Sequence, residues 1–141
     1  MHVEIDEGIR SVLILEDEMI VAMMMEDLVR EMGVRDIHLC AGAAEALKVL
    51  EAKPIDCAVL DLRVRDGSSV DVADALAERG TPFFFSSGSD ATALAERHSD
   101  RPMLGKPFTD DDFKLIVLDT WTLGRPRRST NGAGAAERAE T

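Results

Sequence analysis

The side chains with most chemistry to offer stand directly behind short apolar runs. Glu16 and Asp17 follow Ser11-Val12-Leu13-Ile14-Leu15, and Asp61 closes Cys57-Ala58-Val59-Leu60. Ser86 and Ser87 follow Phe83-Phe84-Phe85, and Lys106 follows Met103-Leu104-Gly105. Apolar runs of this length read as strands buried on both faces. Open α/β sheets place their ligands at the carboxyl ends of such strands. Three carboxylates gathered there would repel one another unless a cation neutralises them. An all-oxygen set that leaves water on the ion suits Mg²⁺. A lysine and a hydroxyl facing a metal-bound carboxylate make a pocket for a small oxyanion. The chemistry this predicts is transfer of a phosphoryl group to Asp61, its charge offset by the cation and Lys106 and one oxygen held by a serine.

The elements that must position these groups follow from periodicity. Residues 1–10 form a polar lead-in without a repeat. After the first strand, Glu16, Asp17 and Glu18 precede a helix over Met19–Met32 and suit its positive end. Its apolar face is read as Ile20, Met24, Leu28 and Met32, four residues apart, with Gly33 as the stop. Asp36–Ala41 alternates like a strand nearer an edge. A helix over Ala43–Ala52 buries Ala43, Ala46, Leu47 and Leu50, and Lys53-Pro54 breaks it. Residues Arg63–Ser69 read as a polar loop. Val70–Arg79 is the third helix, with Val72, Ala73, Leu76 and Ala77 inward. Thr81–Ser86 is the fourth strand. Asp90–Arg97 is a short fourth helix and Arg101–Gly105 a fifth strand. Thr109 N-caps a last helix, Asp110–Leu123, burying Phe113, Ile116, Val117 and Trp121. Five strands alternating with five helices predict a parallel sheet covered on both faces, since parallel strands need crossovers. Gly124–Thr141 has almost nothing to bury and is expected to be a disordered tail.

Composition limits the function classes. The 141 residues make one domain, 45% apolar and 30% charged, with aromatics at 4% so that the core must be aliphatic. Net charge is −11, and four Arg against two Glu after Leu123 leave −13 on residues 1–123. That balance argues against a binder of nucleic-acid phosphates and leaves room for a cation or a basic protein partner. No apolar run nears the ~20 residues of a membrane span, and Met1–Arg10 carries no signal-peptide block. Cys40 and Cys57 lie singly inside apolar strands, as buried reduced thiols of a cytoplasmic protein do.

Singly, each reactive residue has a plain explanation: a charged helix start, a turn-former, a loop serine, a solvated lysine. Their joint occurrence behind strands one, three, four and five is what counts. The runs Val12–Glu18, Ala58–Leu62 and Leu104-Gly105-Lys106-Pro107-Phe108, with Ala41–Leu47, resemble the receiver domain of two-component response regulators over residues 10–122. That resemblance implies a flavodoxin-like (βα)5 sheet ordered 2-1-3-4-5 over residues 11–123 and a phosphoryl acceptor at Asp61. It implies Mg²⁺ on Asp17, Asp61 and the backbone carbonyl of Arg63, with Glu16 acting through water. It implies Lys106 on the phosphoryl oxygens, a cis Lys106-Pro107 bond, and Ser87 rather than Ser86 as the switch hydroxyl, because small Gly88 follows it.

Four residues depart from the family pattern. Glu16 stands for the commoner Asp, and Ser87 for Thr. Met103 stands where a switch aromatic is usual, and Arg65 where a proline is common. The last two bear on the readout and leave the acceptor untouched. The implied partners are a sensor histidine kinase or a histidine phosphotransfer protein, a downstream target on the face from strand four to helix five, and a second copy of the chain. Two rivals stand beside this reading. One is a receiver-like interaction module that needs no phosphate. The other is a phosphatase with an aspartate nucleophile, which would want an acid two residues after Asp61, where Arg63 stands.

Overall fold

The computed structural model describes residues 8–88 and 96–124. Five parallel strands form the sheet: β1 (Ser11–Leu15), β2 (Asp36–Cys40), β3 (Cys57–Asp61), β4 (Phe83–Ser87) and β5 (Met103–Gly105). Their spatial order is β2-β1-β3-β4-β5, the expected 2-1-3-4-5. The helices are α1 (Met19–Glu31), α2 (Ala43–Ala52), α3 (Val70–Glu78) and α4 (Asp110–Gly124). Of the predicted fourth helix, the described part lies in a 3-10 turn, Glu96–His98; residues 90–95 fall outside the described residues, as do 1–7 of the lead-in and 125–141 of the predicted tail. Gly124, assigned to that tail, is instead the last residue of α4.

Alternation along the strands divides the core in two. Leu13, Leu15, Ala58, Leu60, Phe83 and Phe85 pack against α2 and α3 residues Ala46, Leu50, Val72, Ala73 and Leu76. Val12, Ile14, Cys57, Val59 and Phe84 pack on the other face against α1 and α4 residues Met25, Leu28, Val29, Phe113 and Val117. The three consecutive phenylalanines are thus shared between layers, with Phe84 edge-on to Phe113 at 6.1 Å and Phe83 edge-on to Phe85 at 5.6 Å. Strands buried on both faces read as near-continuous apolar runs, as Val12–Leu15, Cys57–Leu60 and Phe83–Phe85 do. Ile9, assigned to a polar lead-in, is buried in the α1–α4 layer.

The apolar stripe of α1 differs from the expectation. Ala22, Met25, Leu28, Val29 and Met32 are buried, whereas Ile20 is 83% exposed and Met24 38%. A step of four residues overshoots a 3.6-residue turn by about 40°, so three such steps carry a stripe roughly 120° around the helix. Ile20 and Met32 therefore cannot share a face, and a 3-4 alternation from Ala22 describes the buried side. Residues 63–69 also differ. Arg63–Val64 and Gly67–Ser68 pair antiparallel as a small hairpin, Arg63 opposite Ser68, with Gly67 at φ 124. The Asp66-Gly67 dipeptide is a hairpin signal that the reading as a loop passed over.

Candidate functional site

The ladders carry the reactive residues to one edge. The Glu16 amide still donates to the Cys40 carbonyl at 2.9 Å, so Glu16 continues β1. Asp61 is the last residue of β3, in register with Ser86, while Ser87 pairs with Gly105. The Lys106 amide donates to the Ser87 carbonyl at 2.9 Å, and the following Lys106-Pro107 bond is cis. Glu16, Asp17, Asp61, Ser87 and Lys106 therefore all stand at the carboxyl end of the sheet. There Asp17, Glu18, Asp61, Leu62, Arg63, Ser87, Gly88 and Lys106 line a cavity of about 590 Å³.

One carboxylate oxygen from each of Glu16, Asp17 and Asp61 lies within 4.8 Å of the others. Glu16 is buried, at 3% exposure. Its Oε1 accepts from Lys106 Nζ at 2.8 Å and its Oε2 from the Glu18 amide at 3.1 Å. Lys106 Nζ also reaches Asp61 Oδ2 at 3.3 Å, and the Arg63 amide approaches Asp61 Oδ1 at 3.4 Å. Burial raises the Glu16 carboxyl above its ordinary value, and the Asp61 charge adds to this against the Lys106 and Glu18 hydrogen bonds. Burial pulls the other way on Lys106, but its bonds to Glu16 and its attraction to Asp61 prevail, so its ammonium is held above the usual range. Glu16 and Asp61 share the Lys106 ammonium, and Asp17 stands beside them. Hard oxygen donors in a partly solvated pocket are what a divalent cation such as Mg²⁺ takes, so the residues present fit one.

The two serines separate. Ser87 lines the cavity. Ser86 is fully buried, and its Oγ has no hydrogen-bond partner among the described residues. Met103 is half-buried against the α2–α3 layer, opposite Phe85 in the ladder. Arg65 is exposed in the hairpin turn. Thr109 Oγ1 accepts the Asp112 amide at 3.0 Å and caps α4 as expected. Cys40 and Cys57 are free and buried, each thiol pushed up to about 12 by burial.

Two features escaped the sequence reading. Asp66 lies at the hairpin turn and accepts the Ala43 and Ala44 amides at the start of α2. Asp74 of α3 binds Arg97 through both carboxylate oxygens at 2.8 Å and meets the Nε2 of buried His98 at 2.7 Å. Both depend on contacts more than twenty residues apart, which no local pattern encodes.

Comparison with known proteins agrees with this geometry. PdtaR of Mycobacterium tuberculosis, a transcriptional regulatory protein, is 28% identical over 140 residues, covering 94% of this chain and 67% of PdtaR. The solution structure of SdrG from Sphingomonas melonis Fr1 is 37% identical, with a TM-score of 0.73 over 82% of this chain and 98% of SdrG. The PhyR receiver domain of Erythrobacter litoralis is 26% identical, with a TM-score of 0.74 over 86% of this chain and 96% of that one. Residues 12–118, nearly the whole span from β1 through most of α4, match the response regulator receiver domain, and this chain belongs to that family.

Proposed function

We propose that this two-component receiver domain accepts a phosphoryl group on Asp61, with Mg²⁺ held by Asp17, Asp61 and the Arg63 backbone carbonyl and by Glu16 through water. The observation that carries the reading is the gathering of the Glu16, Asp17 and Asp61 oxygens within 4.8 Å beside Lys106 Nζ. An Asp61 oxygen attacks the phosphorus of a phosphohistidine donor, the P–N bond breaks, and the imidazole leaves with its electron pair. Bound Mg²⁺ supplies charge neutralisation. Lys106, already 3.3 Å from Asp61 Oδ2, contacts the transferred phosphoryl oxygens, and the Ser87 hydroxyl donates to one of them.

The donor is a sensor histidine kinase or a histidine phosphotransfer protein. Met19, Ile20, Met23 and Met24 expose an apolar face on α1, immediately after the cavity residue Glu18; such a patch suits a docking partner. Phosphorylation shifts the population of two arrangements of the Ser87 and Lys106 segments, read by a downstream protein or a second copy on the face between β4 and α4. Solution structures of SdrG include a BeF3-activated conformation, from Pseudomonas melonis Fr1, in a chain 37% identical to this one. That supports the same chemistry here. The test is labelling by acetyl phosphate with Mg²⁺, followed by intact mass. The parent gains one phosphoryl group and Asp61→Asn gains none; equal labelling of the variant defeats the proposal.

Met103 favours a second reading, an interaction module that ignores phosphate, because no aromatic ring stands opposite Phe85 to rotate inward. Beryllofluoride with Mg²⁺ separates the two. Amide shifts at Ser87 and Lys106 support phosphate control, and unmoved spectra support the module.

A further inference from the structure

The hairpin behind Asp61 is fastened at its tip to another crossover. Asp66 Oδ1 accepts the Ala43 amide at 2.8 Å and Oδ2 accepts the Ala44 amide at 3.1 Å. These are the first two amides of α2, which a helix cannot satisfy internally. Such amides are ordinarily met by an Asp, Asn, Ser or Thr at the N-cap itself. Here the N-cap is Gly42 and makes no side-chain cap bond. A Cβ on Gly42 would stand 3.0 Å from Asp66 Oδ1, so the glycine leaves room for the imported carboxylate. These two bonds hold the Asp66 carboxyl below its usual value, the Ala43 amide contributing most.

At its base the hairpin is fixed differently. Leu62 and Val64 are buried in the α2–α3 layer, the Leu62 amide donates to the Ser86 carbonyl at 3.2 Å, and the Ser69 amide donates to the Leu62 carbonyl at 3.4 Å. Arg63 lies between these anchors and lines the cavity. The hairpin turn would otherwise be a short exposed loop, since Arg65, Asp66 and Gly67 are all exposed.

We propose that Asp66 is a positioning residue for the cation site: by clamping the hairpin to the start of α2, it fixes where the Arg63 backbone carbonyl stands relative to the Glu16, Asp17 and Asp61 oxygens. This rests on the Mg²⁺ reading above. A carboxylate that served α2 alone would be silent to the cation. A clamp shared by loop and helix makes the two energetically coupled, and coupling is reciprocal. Mg²⁺ must then tighten the Ala43 and Ala44 amides as much as the clamp tightens Mg²⁺.

The test uses the full chain and Mg²⁺ alone, followed by amide spectra and hydrogen exchange. In the parent, Mg²⁺ slows exchange at Ala43 and Ala44. Asp66→Ala is expected to weaken Mg²⁺ binding about tenfold, the low end for groups that orient a ligand, and to remove that slowing. Asp66→Asn keeps one acceptor oxygen and falls between. Gly42→Ala crowds the carboxylate, leaves the hairpin sequence intact and weakens binding likewise, which covers a failure of Asp66→Ala to fold. Lys48→Gly weakens α2 on its exposed side without touching the clamp and leaves Mg²⁺ affinity unchanged. Parent-like Mg²⁺ affinity in both Asp66→Ala and Gly42→Ala overturns this proposal alone. A parent that binds no Mg²⁺ overturns the metal reading and this proposal with it.

Discussion

Replacing the proposed acceptor should make the metal-free protein more stable. The Glu16, Asp17 and Asp61 oxygens lie within 4.8 Å of one another. At that distance each pair of charges repels by about 0.9 kcal/mol in bulk water and by about 3.5 kcal/mol at an effective dielectric of 20. Lys106 Nζ is 3.3 Å from Asp61 Oδ2, an attraction of about 1.3 or 5 kcal/mol on the same two assumptions. Among these three contacts, the two repulsions exceed the Lys106 attraction by roughly 0.5–2 kcal/mol, the strain that removing the Asp61 charge relieves. Asn keeps the shape and an acceptor for Lys106 while removing the charge. Asp61→Asn in EDTA should therefore melt roughly 2–6 °C above the parent. Mg²⁺ narrows or inverts the order. At ten times its Kd it stabilises the parent by about 1.4 kcal/mol and does less for a variant that has lost a ligand charge. Thermal and urea unfolding with EDTA or Mg²⁺ decide this. A variant less stable than the parent in EDTA, or a Mg²⁺ shift equal in both, would refute the idea that these carboxylates strain against one another.

Lys106→Met should destabilise the protein by about 3–5 kcal/mol at pH 7.5, because it strips the partner from a buried carboxylate. Burial already raises Glu16 above 4.5, and loss of the ammonium raises it further, so the folded variant holds that proton more tightly than the unfolded chain. The penalty is then small below about pH 4.5 and grows as pH rises through the folded value; urea midpoints at pH 5 and 7.5 measure it, and a penalty independent of pH would count against a buried Glu16–Lys106 pair. Both thiols are pushed from 9.0 up to about 12. The stability their protonated forms contribute is complete below pH 9 and is lost above it, by up to about 1.4 kcal/mol per pH unit for each thiol. Cys57→Ala should flatten the fall in urea midpoint between pH 9 and 11, and an unchanged slope would mean that Cys57 ionises in place.

Strand content was legible because burial on both faces forces an unbroken apolar run, as Val12–Leu15, Cys57–Leu60 and Phe83–Phe85 show. Once those runs were strands, the carboxyl edge followed, and with it Glu16, Asp17, Asp61, Ser87 and Lys106. The choice between Ser86 and Ser87 came from the resemblance. In the structure Ser86 is fully buried and Ser87 lines the cavity. The face of α1 was misread because Met and Ile recur on both sides of that helix, and apolarity alone does not separate a buried stripe from an exposed one. The hairpin and the Asp66 clamp depend on where the start of α2 lies in space. A sequence scan sees only a polar loop with an Asp-Gly pair.

The reactive groups owe their precision to the sheet more than to their loops. Each ladder runs one step past its strand: the Glu16 amide to Cys40, the Leu62 amide to Ser86, the Lys106 amide to Ser87. The backbone beneath Glu16, Asp61 and Lys106 is therefore held as firmly as the core strands. Among the proposed ligands, the Arg63 carbonyl sits one residue beyond the Leu62 bond. Its place follows the hairpin, in which Arg63 pairs with Ser68. A ligand carried on a tethered hairpin has its freedom where the tether is, which is why the variants expected to tune cation affinity without dismantling the fold lie at Asp66 and Gly42.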